Sequence, residues 1–316
     1  MTEILPERAG NRSLRLAMRL SLVVGLLMLV IKVGGYVMTG SAAILSDAAE
    51  SVVHVVAVAF ASYSLWLAYK PADATHLYGY AKISFFSAGF EGAMIILAAL
   101  YIIYESVHMW LGGLHLENLG LGTGLTALAA VINGFLGAYL IWLGRRQNSL
   151  ILEANGKHVL TDCWTSVGVL VGLGLTQITG WLPWDPICAI LVACNILWSG
   201  FGLMRRSVGG LMDAADPGLD AALTSILDRE TKTHGIDYHG LRHRNVGRAL
   251  WVEVHLLFAG ATTVREAHAV ATRIEAQLEG AAESAMYVTS HLEAIEDHGK
   301  VHAPTMHGHE SLDPRE

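Results

Sequence analysis

Charge is scarce in this sequence. Only 16% of its 316 residues are Asp, Glu, Lys or Arg, against about 25% in an ordinary soluble domain. Basic residues do not dominate that small set: 21 Lys and Arg stand against 28 Asp and Glu, a net charge of −7. That balance excludes an electrostatic nucleic-acid binder. Cysteine is rarer still. Cys163, Cys188 and Cys194 form no CxxC, so a disulfide scaffold is excluded and a thiolate metal site has no support. No HExxH is present either, which counts against an intramembrane zinc hydrolase with its glutamate base. What abounds is apolar: 53% of the residues are hydrophobic, and such a surplus marks a membrane protein. The 15 histidines are also more than ordinary usage supplies.

Six apolar stretches, at about 15–38, 43–68, 83–107, 118–143, 150–178 and 186–205, are long enough for a bilayer core of about 30 Å, which takes about 20 helical residues. The first is too long for a signal peptide and has no cleavage site after it. Arg8, Arg12, Arg15 and Arg19 precede it. Lys70 and Lys82 flank the loop after the second, Arg145, Arg146 and Lys157 lie around the fourth-to-fifth connection, and Arg205 and Arg206 follow the sixth. The intervening loops at 39–41, 108–117 and 179–185 hold no Lys or Arg. By the positive-inside rule both termini are expected in the cytoplasm of a multi-pass protein of the inner (cell) membrane.

After Arg206 the composition turns mixed. Residues 218–233 read as an amphipathic helix with Leu219, Leu223, Ile226 and Leu227 on one face. Stretches 236–245 and 249–258 alternate like strands around an Asn245-Val246-Gly247 turn. Thr263 with Glu266 three residues on announces a second helix to Leu278, and 285–293 a third strand. The fold class expected is an α-helical membrane protein with six transmembrane helices, plus a C-terminal cytoplasmic α+β domain in the order αββαβ. The expected divisions are a cytoplasmic tail 1–13, a membrane domain 14–210, the α+β domain 211–297, and a disordered His-rich tail 298–316.

Ionisable residues inside apolar spans are costly and need a reason. Span 2 holds Asp47, Glu50 and His54; span 5 holds Asn155, His158 and Asp162. Both follow i, i+3, i+7, which puts each set on one helix face. The pairs Glu50/His54 and His158/Asp162 together offer two imidazoles and two carboxylates. That donor set suits a tetrahedral divalent transition metal, zinc best, and disfavours Cu(I), calcium and magnesium. The competing reading is that the pairs satisfy each other by interhelical hydrogen bonds. Asp47 is a spare carboxylate or a packing group near the site's mouth. Lys32, Glu91 and Glu105 are read as interhelical or interfacial groups.

The segments SAAILSDAAESVVH, HLYGYAKISFFSAGFEG, KHVLTDCWTSVGVLVG and SVGGLMDAADP, in that order, resemble the cation diffusion facilitator family from about residue 15 to 293. The resemblance implies six spans and a ferredoxin-like cytoplasmic domain, a homodimer, and exchange of divalent metal for protons rather than enzymatic turnover. It places the transport ligands at Glu50, His54, His158 and Asp162. The HxxxD of span 5 is similar to that of zinc transporters, while Glu before His in span 2 departs from the family's usual order.

Zinc is thus expected as substrate and as regulatory ligand, with manganese, iron, cobalt, nickel and cadmium open and no organic cofactor. The resemblance further implies a loop site at Asp73 and His76, although Tyr80 stands where some relatives have a ligating His; the alternative is a solvated loop. It also implies a cytoplasmic metal site of His239, His255, His268, His291 and Glu293. His243 is a further ligand or faces solvent. Opposite charges at matching depth suggest that Lys82 and Asp213 form a coupling salt bridge, or are two separate exposed ends. A membrane metal sensor that binds without transporting is the rival function. The partners implied are lipid, divalent metal, protons and a second copy, with no nucleic acid.

Overall fold

The computed structural model describes residues 8–39, 42–112, 121–282 and 284–296. Within these, the side chains of 34–51, and those of Lys32 and Glu105, lie outside the described set, as does the tail from 297. The chain divides into two compact units, Met1–Leu211 and Met212–Glu316.

The first unit is built of six long helices: α1 (Arg8–Thr39), α2 (Ala42–Ala68), α3 (Ile83–Gly112), α4 (Leu121–Arg146), α5 (Leu150–Thr179) and α6 (Trp184–Leu211). The shortest has 26 residues, and at about 1.5 Å per residue each is longer than a bilayer core. Among the described residues, three segments (Arg12–Val30, Ile83–Gly112 and Pro186–Leu211) are long and apolar enough to cross a membrane by length and composition.

The helices are apolar outside as well as inside. Ile178, Trp198 and Phe135 are 84%, 83% and 77% exposed, a surface that water does not tolerate over such an extent. One interior cluster joins Leu14 and Met18 of α1, Val58 and Leu65 of α2, Leu140 of α4 and Ile151 and Leu152 of α5. Another joins Ile95 and Ala99 of α3, Ala154 of α5 and Ile196 and Leu203 of α6.

Small residues bring α4 and α5 close, as expected where lipid removes the hydrophobic drive between helices. A Cβ at Gly144 would lie 2.6 Å from the Glu153 nitrogen, and one at Gly156 2.8 Å from the Ile141 nitrogen. This contact fixes α5, which carries two of the candidate ligands.

The second unit runs α7 (Pro217–His234), β1 (Asp237–Asn245), β2 (Ala249–Phe258), α8 (Val264–Glu279) and β3 (Ala285–Ala294), the order read from the sequence. Its sheet has the order β1-β2-β3, with β1 antiparallel and β3 parallel to β2. Val252, Val254, Leu256 and Phe258 of β2 are buried with Leu223 and Leu227 of α7 and Ala267, Ala271, Ile274 and Leu278 of α8. Both helices therefore cover one face. By strand alternation Trp251, Glu253 and His255 point to the other.

The β1–β2 turn closes with the Asn245 side chain accepting from Gly247 N at 2.7 Å and with Val246 N donating to Ala249 O at 3.0 Å. β1 is irregular between His239 and Arg242. Gly240 sits there at φ 62, a left-handed backbone that glycine adopts freely. The extra residue reverses the strand's alternation. His239 stays opposite His255, while His243 falls opposite Val252, on the helix-covered face.

Candidate metal centres

In the first unit His54 (α2), His158 and Asp162 (α5) converge, each offering a donor atom within 4.8 Å of the others. Asp162 Oδ2 lies 3.5 Å from His54 Nδ1. The two imidazole rings stand 4.9 Å apart, tilted by 35°. His158 is buried; His54 and Asp162 are partly so. The i, i+4 spacing on α5 does what helical geometry requires, stacking His158 and Asp162 one turn apart on the face turned to α2.

Asn155 departs from the stripe's expected role. Its Oδ1 accepts from Ser21 Oγ at 2.8 Å, tying α5 to α1. Glu91 of α3, fully buried, approaches His158: its Oε2 lies 3.1 Å from Nδ1. Asp47 and Glu50, expected beside this site, are outside the described side chains.

The loop between α2 and α3 holds Asp73 and His76, but its carboxylate is engaged by the loop itself. Oδ1 accepts from Thr75 N, Thr75 Oγ1 and His76 N at 3.0, 2.7 and 3.0 Å. Oδ2 accepts from Tyr80 Oη at 2.6 Å and Lys70 Nζ at 3.0 Å. These donors, the Tyr80 hydroxyl foremost, hold the Asp73 carboxyl far below the usual carboxylate range. His76 stacks on the Tyr80 ring at 4.2 Å. Among the described residues no third His, Cys, Asp or Glu joins Asp73 and His76 in a ligand cluster.

In the second unit, register places His239, His255 and His291 side by side across the three strands. Neighbouring rings are 4.8 and 5.0 Å apart, the spacing that adjacent strands impose. Glu293, two residues after His291, shares its face. Its carboxylate meets all three: Oε1 is 2.6 Å from His255 Nδ1 and 3.7 Å from His291 Nε2, and Oε2 is 3.2 Å from His239 Nε2.

Burial pushes the His255 imidazolium below its usual pKa, Glu293 opposes that, and the neighbouring His239 and His291 add to it. The neutral, ligating form is thereby favoured. The donor set of imidazoles and one carboxylate fits a borderline divalent ion.

His268 is not brought to this cluster. It is exposed on α8, whose buried side packs on the opposite face of the sheet. His243 joins no ligand cluster among the described residues and does not face solvent: its side chain is 4% exposed and its Nε2 lies 3.5 Å from Asp220 Oδ1 on α7. Lys82 belongs to the first unit and Asp213 to the second.

A family model described as the cation efflux transmembrane domain matches residues 18–212, and one described as the cation efflux protein cytoplasmic domain matches 222–295. An uncharacterized transporter of Synechocystis is 39% identical over 274 residues, 84% of this chain and 86% of that protein. The cation-efflux pump FieF of Shewanella oneidensis is 28% identical over 276 residues, 86% of this chain and 91% of its own. FieF of Salmonella arizonae is 28% identical over 255 residues, 79% of this chain and 83% of that pump.

Proposed function

This chain belongs to the cation diffusion facilitator family, and on that premise we propose that it exports a divalent transition metal, zinc foremost, in exchange for protons. All six helices of the first unit cross the membrane in this reading, with both termini in the cytoplasm and two copies forming the working assembly. The observation that carries it is the convergence of His54, His158 and Asp162 on one small volume.

Two neutral imidazoles and one carboxylate leave one position of a tetrahedral ion to fill. Glu50, one helical turn before His54, is the residue that α2 offers for it. Deprotonated ligands are a condition of metal binding, so protons and metal compete for the same atoms. An imidazole titrates near pH 6.5 when unperturbed, and the two histidines are therefore the proposed proton carriers. Metal is taken up from the cytoplasm, the helices rearrange, and protonation on the far side releases it.

His239, His255, His291 and Glu293 are proposed to hold a regulatory ion, which would supply positive charge where imidazoles and a carboxylate already converge. For that ion to control transport, its affinity must differ between two states of the protein. The kinship with proteins named cation-efflux pumps supports export over sensing.

The test is flux into proteoliposomes under a pH gradient for zinc, manganese, iron, cobalt, nickel and cadmium. We expect zinc to move fastest and Asp162→Ala to lose at least about 100-fold, the upper end of what removal of an outer-shell partner costs at metal sites. His54→Asp should change the order of metals. Equal flux for wild type and Asp162→Ala would remove the assignment. Binding without flux of any metal would return the sensor reading.

A further inference from the structure

Glu91 is fully buried on α3, in a helix that holds its depth by tight packing. A Cβ at the adjacent Gly92 would stand 3.3 Å from both Gly200 O and Met204 N of α6. Ala88 and Ile95, a turn either side of Glu91, are buried in the same packing. A carboxylate buried among apolar spans is costly and calls for a partner. Its Oε2 lies 3.1 Å from His158 Nδ1, an ion-pair distance outside hydrogen-bond geometry, and among the described residues no donor is hydrogen-bonded to either oxygen. His158 has two ring nitrogens, and a ligating histidine commonly gives the one it does not use to a carboxylate, which fixes tautomer and ring angle.

We propose that Glu91 is the positioning residue of the membrane site: its carboxylate accepts Nδ1–H of His158, so that Nε2 is left as the lone-pair donor for the transported ion. The inference rests on the reading of His54, His158 and Asp162 as the transport ligands. It makes the site a product of three helices rather than two, with α6 holding α3 at the correct depth. Because Glu91 touches the ligand and not the ion, its removal lowers metal affinity without disabling the transport step.

The test compares wild type, Glu91→Leu, Glu91→Gln and Asp162→Ala by zinc flux in proteoliposomes and by ¹⁵N-histidine NMR of the metal-free protein, with the His158 signal assigned from its loss in His158→Ala. Glu91→Leu is expected to raise the KM for zinc by about 10–100-fold while the maximal rate stays within about twofold. His158 should lose its Nδ1-protonated preference in the same variant. Glu91→Gln, which keeps an acceptor oxygen, should fall between the two, and it carries the test if the leucine variant does not insert. An unchanged KM, a fall in maximal rate alone, or an unchanged His158 tautomer overturns the proposal while Asp162→Ala remains inactive. Wild-type flux in Asp162→Ala overturns the transport site itself and this inference with it.

Discussion

Asp162 reaches across from α5 to place Oδ2 3.5 Å from Nδ1 of His54 on α2. The other side of the His54 ring is set by α1, where a Cβ at Gly25 would lie 3.2 Å from Cδ2. The ring is thus held between a carboxylate and a glycine. Gly25→Ala needs a shift of only a few tenths of an ångström. Gly25→Val overfills the space, at a cost of about 1–3 kcal/mol, or displaces the ring. We expect the valine variant to raise the KM for metal several-fold more than the alanine variant, measured by flux at graded zinc.

The alternation of β1 depends on Gly240. A Cβ there meets the His255 ring at a comfortable 3.8 Å, so the penalty of Gly240→Ala is conformational rather than steric. It should be about 1–2 kcal/mol for a left-handed alanine. If the strand instead relaxes to regular pairing, His239 leaves the face it shares with Glu293. Zinc titration of the full chain in a His54→Ala, Asp162→Ala background should then show weakened binding by the remaining cluster. Wild-type binding there would mean that the irregularity is dispensable.

Glu153 of α5 gathers cations: Arg206 Nη1 at 2.6 Å, Lys157 Nζ at 3.4 Å and Arg145 Nε at 3.9 Å. The carboxylate is the buried member, with 6% of its side chain exposed against 52% for Arg206 and 69% for Arg145. Removing the anion lets the arginines turn to water, whereas removing Arg206 and Lys157 leaves the buried charge with the exposed Arg145 at 3.9 Å in place of its two nearer cations. The double variant Arg206→Ala, Lys157→Ala should therefore lose about 3–5 kcal/mol, and Glu153→Gln only about 1 kcal/mol. Thermal unfolding in detergent distinguishes the two, and the reverse order would contradict this account.

The start of α8 should be acid-sensitive. Thr263 Oγ1 accepts from Glu266 N at 3.3 Å, and Glu266 Oε2 accepts from Thr263 N and Oγ1 at 3.1 and 2.7 Å. These donors hold the Glu266 carboxyl below its usual 4.5. A carboxyl depressed on folding stabilises above that usual value and ceases to do so as pH falls through its folded one. Amide exchange over Val264–Ala267 should stay slow above pH 4.5 and speed up, relative to intrinsic rates, below it. Thr263→Ala, worth about 1 kcal/mol, should abolish that step.

Much of this was visible in the residues. Period located α7, β1, β2 and β3, and the turn at Asn245 and the cap at Thr263 marked where β1 ends and α8 begins. The i, i+4 spacing of His158 and Asp162 pointed to two of the three residues that converge in the first unit. Glu91 gave no such pattern: it is a single acid on α3 whose partner lies on another helix, and only tertiary packing brings them together. His243 was expected to be a further ligand or to face solvent; the irregularity at Gly240 instead puts it opposite Val252 on the helix-covered face. Asp73 could pass for a ligand in sequence because the turn that occupies its oxygens depends on Tyr80 and Lys70 folding back onto it.

The row of His239, His255 and His291 has its spacing dictated by backbone pairing, not by side-chain choice. A slipped or unzipped strand therefore dismantles the cage as surely as deleting a histidine. Conversely, an ion gripped there would act as a rivet across all three strands, and its binding would double as a gauge of whether this half of the chain has been assembled correctly.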